Sequence, residues 1–322
     1  MNRLGRGSIP RRVSDTSVAA ATREQDGDLS VNGCPADNIY VKVAAPNNHA
    51  TARVRLAAAA VFAVPVLVVA QQQPSSPRAG FPCGARLDPS YFRVAEGSGG
   101  HLLLLAPEEI GESASLLTAL GDHPQTIFRL AGSVNPGLHE FTVPIDSTVE
   151  SVLFSISVQC LQTADVVRPS GAMAIGDDVT DLPNFRAQHM VIVKRPEPGM
   201  WTLRVAGSGI SGVVVQARSG IGISQPEFAP GSQTTFTAIP TAAVQNTLRI
   251  HVSGRISDLR ASILSGQSML LAELPLTAGE TDDTYLSRFT PGAEAFRVLV
   301  TGNDAAGLSF QRMSAPLVAP MR

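Results

Sequence analysis

Aromatic and charged side chains are both scarce in this chain of 322 residues: aromatics make up 5%, charged residues 16%, and the formal net charge is -2. Nucleic-acid binding calls for a clustered basic surface, and no run of Lys and Arg occurs outside the N-terminal stretch, so we expect no nucleic-acid partner. The few aromatic rings also argue against a carbohydrate-stacking platform. A hydrophobic fraction of 44% with low charge is typical of packed globular chains. The length suits about two domains.

Sequence motifs of catalytic centres are missing as well. No His-Glu-x-x-His motif and no Gly-x-Ser-x-Gly elbow occurs. Residues 207–212 match the spacing Gly-x-Gly-x-x-Gly, but a valine run typical of a strand follows instead of the helix that a dinucleotide site needs, so we predict a glycine-rich hairpin turn. We predict no catalytic residues and no cofactor, although a Ser/His/Asp triad depends on geometry and can be assembled from distant residues. No two of the six histidines stand four residues apart; they are His49, His101, His123, His139, His189 and His251.

The N-terminal region contains the parts of a secretory signal in an unusual position. Residues 1–52 lack a sustained apolar period, and we expect them to be disordered or to lie upstream of the true start, with Val54 as one candidate first residue. Arg53 and Arg55 precede an uncharged run over residues 56–70, shorter than the ~20 residues of a membrane-spanning helix. We interpret residues 53–70 as a signal peptide cleaved near Ala70. The alternatives are an uncleaved signal anchor, with membrane contact through this segment alone, and a buried core helix.

Cysteine is rare, and Cys34, Cys83 and Cys160 are the three thiols. No Cys-x-x-Cys pair occurs, which leaves no basis for a thiol–disulfide or zinc-ribbon site. Cleavage near Ala70 would remove Cys34 and leave an even pair, which favours a Cys83–Cys160 disulfide in an oxidising compartment. The alternative is two unrelated thiols, one of them buried in a strand.

After the predicted cleavage point the pattern of the chain changes three times. Residues 71–87 are a predicted linker rich in Gln, Pro and Ser. Residues 88–120 predict a helix from Asp88 that is stopped by the glycines at 97–100, a strand at 101–105 and a second helix at 107–120. From residue 121 onward, apolar and polar residues alternate with period two between turn signals, which is typical of β-sandwiches. We predict one sandwich over 121–220 and another over 225–316, a mainly β fold class with two β-sandwiches in series.

The order of these segments resembles secreted, hemicentin-like proteins that contain a von Willebrand factor A domain. The stretch DPSYFRVAEGSGGHL at residues 88–102 resembles the closing helix and strand of that domain. The segments FTVPIDS (141–147) and VIVKRPEPGMWTL (191–203) resemble the next module, and IPT (239–241), VLVTGND (298–304) and FQRMS (310–314) resemble the module after it. The resemblance implies a galactose-binding-like sandwich, then an immunoglobulin-like one, and an extracellular role in adhesion or matrix architecture.

One part of the family pattern is absent from the sequence. The family's A domain coordinates a metal through an Asp-x-Ser-x-Ser loop in its first half, and no such motif occurs in this chain. We therefore predict no metal site. The remaining helix–strand–helix piece is too small to make a sheet alone, and we expect it to pack on the first sandwich as a small α/β appendage.

Two local features are candidates for binding. Asp177, Asp178 and Asp181 form an acidic loop, but calcium takes about six to eight oxygen ligands, and the ordered spacing of a dedicated calcium loop is missing. A solvated loop is the simpler interpretation. The same interpretation holds for a second acidic set, which comprises Glu280, Asp282 and Asp283.

The only tryptophan, Trp201, follows a turn at Pro198 and Gly199. A ligand-stacking platform is one interpretation of this feature. A large ring at the start of a strand is more often part of a hydrophobic core with its N–H paired. We predict that Trp201, Pro198 and Gly199 belong to the structural core.

The sequence thus predicts an exported, non-enzymatic binding or adhesion protein of the cell surface or extracellular space. Its expected partner is an extracellular protein or a matrix or surface component. The alternative is a structural spacer without a ligand of its own, and an enzyme of unrecognised type ranks third. An exposed apolar cluster would favour a binder over a spacer.

Overall fold

The computed structural model describes residues 22–23, 29–30, 40–43, 67–70, 83, 89–105, 109, 116, 119–120, 122–182, 185–314 and 318–321. The protein is mainly β within these ranges. Strands β1 (Thr22–Arg23) and β2 (Leu29–Ser30) pair antiparallel in a small unit of their own. All other strands belong to a second, larger unit.

A short parallel sheet opens the larger unit. It consists of β3 (Tyr40–Val43), β4 (Leu67–Ala70) and β5 (His101–Leu104), in that order, and helix α1 (Pro89–Ser98) precedes β5. The helix ends where Gly99 adopts a φ of +74°, a backbone conformation that glycine adopts without a Cβ penalty.

This sheet differs from the sequence-based expectation. Strand β3 lies in the segment expected to be disordered, and β4 lies in the expected signal peptide. Neither strand was predicted, because four-residue strands leave too short a pattern to detect. The helix–strand piece forms a sheet only with strands from outside it, since β5 pairs with β4. Signal cleavage near Ala70 stays a prediction. Most of the predicted linker and second helix lies outside the described residues.

The next sheet is large and antiparallel, and we call it the first sheet because the first predicted sandwich lies here. It is built from three very long strands and two short ones. They are β6 (Gln125–Ile145), β7 (Val149–Val167), β8 (Val179–Asp181), β9 (Gln188–Lys194) and β10 (Gly199–Ser219). Their order is β6-β10-β7-β9-β8, so β10 lies between β6 and β7 although it follows both in the chain.

Register shifts in the middle of β10 divide the long strands into two halves. The pairing slips between Gly207 and Gly209 on the β6 side and between Ser208 and Ser211 on the β7 side. The hairpin turn predicted at residues 207–212 is therefore wrong: these glycines form a bulge inside one continuous strand. A Cβ on Gly207 would lie 2.6 Å from the carbonyl oxygen of Cys160, which explains why glycine occupies this position.

Alternate side chains from both halves of the long strands belong to one hydrophobic core. The period-two pattern of the sequence explains this arrangement, because every second residue points to the same face of a strand. Fully buried members of the core are Ile127, Val143, Val152, Phe154, Ile156, Val193, Trp201, Leu203 and Val215.

Two sheets around a separate core form the second module. One contains β11 (Gly222–Ile223), β12 (Glu227–Pro230), β13 (Asn246–Ser253), β16 (Thr277–Ala278) and β17 (Thr284–Phe289). The other contains β14 (Ile256–Ser265), β15 (Leu270–Leu274), β18 (Phe296–Asp304) and β19 (Ser309–Met313). Phe228, Leu248, Ile250, Val298, Val300 and Phe310 are buried between them. The immunoglobulin-like assignment of this module stays a prediction.

Candidate functional site

The face of the first sheet that points away from its core is covered along one half. We call residues 125–134, 149–158 and 211–219 the covered half, because β5 and its flanking residues pack on them. The apolar contact joins Leu103, Leu105 and Leu116 to Leu153, Phe185 and Met190.

Polar contacts add to this cover. The Ser157 hydroxyl donates to the Leu102 carbonyl at 2.8 Å, and His101 Nε2 lies 2.8 Å from Gln216 Oε1. Burial lowers the pKa of His101 to about 3, and the nearby Arg129 charge acts in the same direction, so the ring is neutral at physiological pH. The covered half is thus a packed interior held by both apolar and polar contacts.

The other half of the same outer face is open. We call residues 137–145, 160–167 and 199–207 the open half, and its outward side chains the open face. Neighbouring strands align them in rows: Pro144 beside Met200, Thr142 beside Thr202 and Val167, Glu140 beside Arg204 and Asp165, and Leu138 beside Ala206 and Thr163. Paired residues on adjacent strands point to the same side of a sheet.

Large apolar side chains mark both ends of the open face. Leu138 is 63% exposed at one end and Met200 is 51% exposed at the other. Beside Val167, which is buried, Met173 forms a β-bridge and is 41% exposed, and Ile175 on the following loop is 73% exposed. Exposed apolar side chains on one face of a sheet are candidates for contact with a partner.

The centre of the open face is charged. Arg204 Nε donates to Glu140 Oε1 at 2.9 Å, and about half of each side chain is exposed to solvent. An exposed pair of this kind contributes little to stability. The pair lies between two apolar ends, so the open face carries both charged and apolar side chains.

The acidic loop predicted from the sequence borders the open half. Arg168 donates to both carboxylate oxygens of Asp178, at 3.0 and 2.9 Å, and this bond lowers the pKa of Asp178. Asp177 and Asp181 are exposed. In the part of the chain that the structure describes, no group of three or more His, Cys, Asp and Glu side chains is arranged to hold a metal.

The second acidic set lies on the second module. Asp283 accepts a hydrogen bond from the Thr281 hydroxyl at 2.6 Å, which lowers the pKa of Asp283. Glu280 and Asp282, which lie close to it in the chain, are both exposed.

Trp201 lies in the core beneath the open face. Its ring is fully buried 5.4 Å from Phe154, and its Nε1 donates to the Glu197 carbonyl at 2.8 Å. Gly199 is half-buried at a φ of +139°. The assignment of Pro198 to the core is wrong, because it lies exposed on the turn that leads into β10.

A disulfide joins Cys83 and Cys160, whose Cα atoms are 4.7 Å apart. Cys160 lies on β7 opposite the bulge of β10, and Cys83 lies a few residues before α1. The bond therefore ties the segment that covers one half of the sheet to the boundary between the halves.

One side-chain pair resembles part of a catalytic arrangement that sequence analysis did not detect. His123 Nε2 lies 3.0 Å from the Ser151 hydroxyl, but His123 Nδ1 contacts the Ala119 carbonyl at 2.8 Å instead of a carboxylate. Burial lowers the pKa of His123, which makes it a weak base. The pair ties the end of the covering segment to β7, and no sequence spacing reveals it, because the two residues meet only in the fold.

The module built on the first sheet is of a known class. Residues 127–220 match the family model described as hemicentin galactose-binding domain-like, which covers both the covered and the open half. The sequence-based assignment of a galactose-binding-like module here is confirmed.

The wider chain is similar to hemicentins. It is 26% identical over 238 residues to Hemicentin-1 of Mus musculus, covering 70% of this chain and 4% of that protein. It is 24% identical over 246 residues to Hemicentin-2 of Mus musculus, covering 72% of this chain and 5% of that protein. The predicted resemblance to hemicentins is confirmed, and the chain spans a small fraction of the length of the curated relatives it matches.

Similarity to solved structures is low. The crystal structure of Bacillus licheniformis lipase BlEst2 in propeptide form aligns with a TM-score of 0.29 and 13% identity, over 59% of this chain and 40% of that one. A TM-score at this level carries no argument about fold or activity. Among the described residues, no helix is long and apolar enough to cross a membrane.

Proposed function

We propose that this chain is an exported, non-enzymatic binding or adhesion protein, and that the open face of its first module is the contact surface. The observation that carries the proposal is the difference between the two halves of one sheet. One half is buried under β5, whereas the other exposes Leu138 and Met200 around the Arg204–Glu140 pair. The similarity to hemicentins supports an extracellular setting, and the partner is an extracellular protein or a matrix or surface component.

A binding assay with matched variants tests the surface. The protein purified from the medium of secreting cells is applied to matrix laid down by cultured cells, and the retained amount is measured. The double variant Leu138→Glu, Met200→Glu changes the open face. The control Leu270→Glu, Leu271→Glu places the same charges at positions of similar exposure, 58% and 50%, on the second module.

Loss of retention in the open-face variant, with the control retained, supports the proposal. Equal retention of all three proteins contradicts the assignment of the open face. If the wild-type protein itself is not retained, the proposed binding function is wrong, and a structural spacer becomes the favoured function.

The spacer is the second candidate, and a specific contact favours it. Arg312 of β19 and Asp146 at the end of β6 form a buried ion pair at 2.7 Å between the two modules. Two modules joined by buried charges are stiffer than two modules on a flexible linker. A spacer role requires this stiffness and no ligand.

Export has its own test. N-terminal sequencing of the protein recovered from producing cells should give a start near Gln71 in the exported fraction. An intact N-terminus retained inside the cell would contradict the signal peptide and place the disulfide in a reducing compartment.

A further inference from the structure

One carboxylate in the larger unit is shared by arginines from both modules. Glu96, near the end of α1, accepts a hydrogen bond from Arg129 Nη1 of β6 at 2.9 Å and another from Arg297 Nη2 of β18. All three side chains are buried, with side-chain exposures of 7%, 1% and 1%. Helix α1, the first sheet and the second module thus meet at a single ionic centre.

Arg129 also holds the end of the helix directly. Its guanidinium donates to the carbonyls of Gly99 and Gly100 at 2.6 and 2.8 Å. Both carbonyls belong to the turn between α1 and β5. The φ of +74° at Gly99 turns the chain so that these carbonyls face Arg129.

Glu96 is needed to balance the two buried arginine charges at this centre. Burial lowers the pKa of Arg129, the Glu96 carboxylate opposes this effect, and the Arg297 charge adds to it. Arginine keeps its proton in proteins, so removal of Glu96 leaves two buried positive charges close together. An uncompensated buried charge is strongly destabilising.

The Glu96 centre lies apart from the other ionic contact between the modules. That second contact, Arg312 with Asp146, also includes the Ser219 hydroxyl and the Ile221 carbonyl, at 2.6 and 3.0 Å. It therefore sits beside the peptide connection at residues 219–222. The modules also meet directly, since Gln311 Nε2 donates to the Ile127 carbonyl and Ser268 Oγ donates to the Arg129 carbonyl, both at 3.0 Å. The strap adds a buried ionic contact at β18 to these direct contacts.

We propose that residues 89–105 act as a strap that fixes the orientation of the second module, with Glu96 as its positioning residue. The Cys83–Cys160 disulfide anchors the strap to the first module, β5 packs on the covered half, and Glu96 reaches Arg297 of the second module. This inference does not depend on the proposed function, since a binder and a spacer would both use a fixed orientation.

The test compares three forms of the full chain. Glu96→Gln removes the shared charge while keeping the shape of the side chain. Glu227→Gln is the control, because it removes the carboxylate of a partly exposed pair, with Arg249 at 2.7 Å, inside the second module. Small-angle scattering gives the maximum dimension, and hydrogen exchange gives the protection of β18 and β6.

We expect Glu96→Gln to increase the maximum dimension and to speed exchange at the contact between β18 and the strap by roughly 100-fold. Wild type and Glu227→Gln should give the same scattering curve. A Glu96→Gln protein with wild-type dimensions and wild-type protection would overturn the proposal.

Two further variants keep the proposal testable if Glu96→Gln does not fold. Arg297→Met leaves the Glu96–Arg129 pair intact, so the first module should keep its protection while the second module reorients. A triple variant with methionine at positions 96, 129 and 297 removes all three charges and should restore folding. If Arg297→Met keeps wild-type dimensions, or if the triple variant is as unstable as Glu96→Gln, the charge-based strap is wrong.

Discussion

The same three strands build both halves of the first sheet, yet the halves have different surroundings. In the covered half, the outward Leu153 is buried against Leu103 and Leu105 of the strap, and the outward Val214 is buried as well. In the open half, the equivalent positions carry Thr142, Glu140 and Arg204, which are exposed. The inward positions are alike in both halves. The polarity of a strand's outward residues therefore indicates whether a second layer covers the strand. Substitutions can change or measure that difference.

The largest expected effect is the conversion of the covered half into an open one. Cys160→Ser removes the disulfide that anchors the strap, and a cross-link that closes a loop of 77 residues is worth about 4 kcal/mol on the chain-entropy model. We expect the strap to become sensitive to protease before the sheet unfolds. Limited proteolysis should give new cleavage before or within residues 89–105, and a wild-type cleavage pattern would contradict this prediction.

Two leucines allow the halves to be compared with the same substitution. Leu153→Ala in the covered half should lower the free energy of unfolding by about 3 kcal/mol, because the side chain is fully buried. Leu138→Ala in the open half should change it by less than about 0.5 kcal/mol. Urea unfolding followed by Trp201 fluorescence measures both. Equal effects would mean that the open half is covered in solution.

The boundary between the halves depends on a missing side chain. Gly207→Ala places a Cβ within 2.6 Å of a backbone oxygen and 2.9 Å of Val158, and it should destabilise the sheet by about 2 kcal/mol. Gly132→Ala on β6 is the control, because no atom lies within 4 Å of its added Cβ. Thermal melts of both variants measure the change in stability. If Gly207→Ala is as stable as wild type, the bulge can shift to make room for the added Cβ.

The smallest expected effect lies beside the open half. Arg168 lowers the pKa of Asp178 in the folded protein, so this carboxylate stabilises the fold above its ordinary pKa of 3.8, and the contribution is lost as the pH falls through the lowered value. Asp178→Asn should remove this part of the acid dependence. The measurement is a series of urea titrations from neutral pH to below pH 4, and an unchanged pH profile would contradict the assignment.

Much of the β architecture could be predicted from residue patterns. Alternation placed Val152, Phe154 and Ile156 on one face of a strand, and the structure buries all three. The glycines at 207–212 were misinterpreted as a turn, because a bulge and a turn both use residues without a Cβ.

The ionic centre was not predictable from the sequence. Glu96, Arg129 and Arg297 lie far apart in the chain, and nothing in the spacing of charged residues marks which of them are buried. The open face was not predictable for the same reason, because covering a sheet is a property of tertiary packing.

The central position of β10 has a consequence for how the chain is made. Because β10 separates β6 from β7 and follows both, β6 has no neighbour in its sheet until β10, which begins at Gly199, is synthesised. The connection is long in sequence, and non-local pairing of this kind slows folding. Until β10 is made, the apolar side of β6 stays exposed, and exposed apolar strands make a newly made chain prone to aggregation.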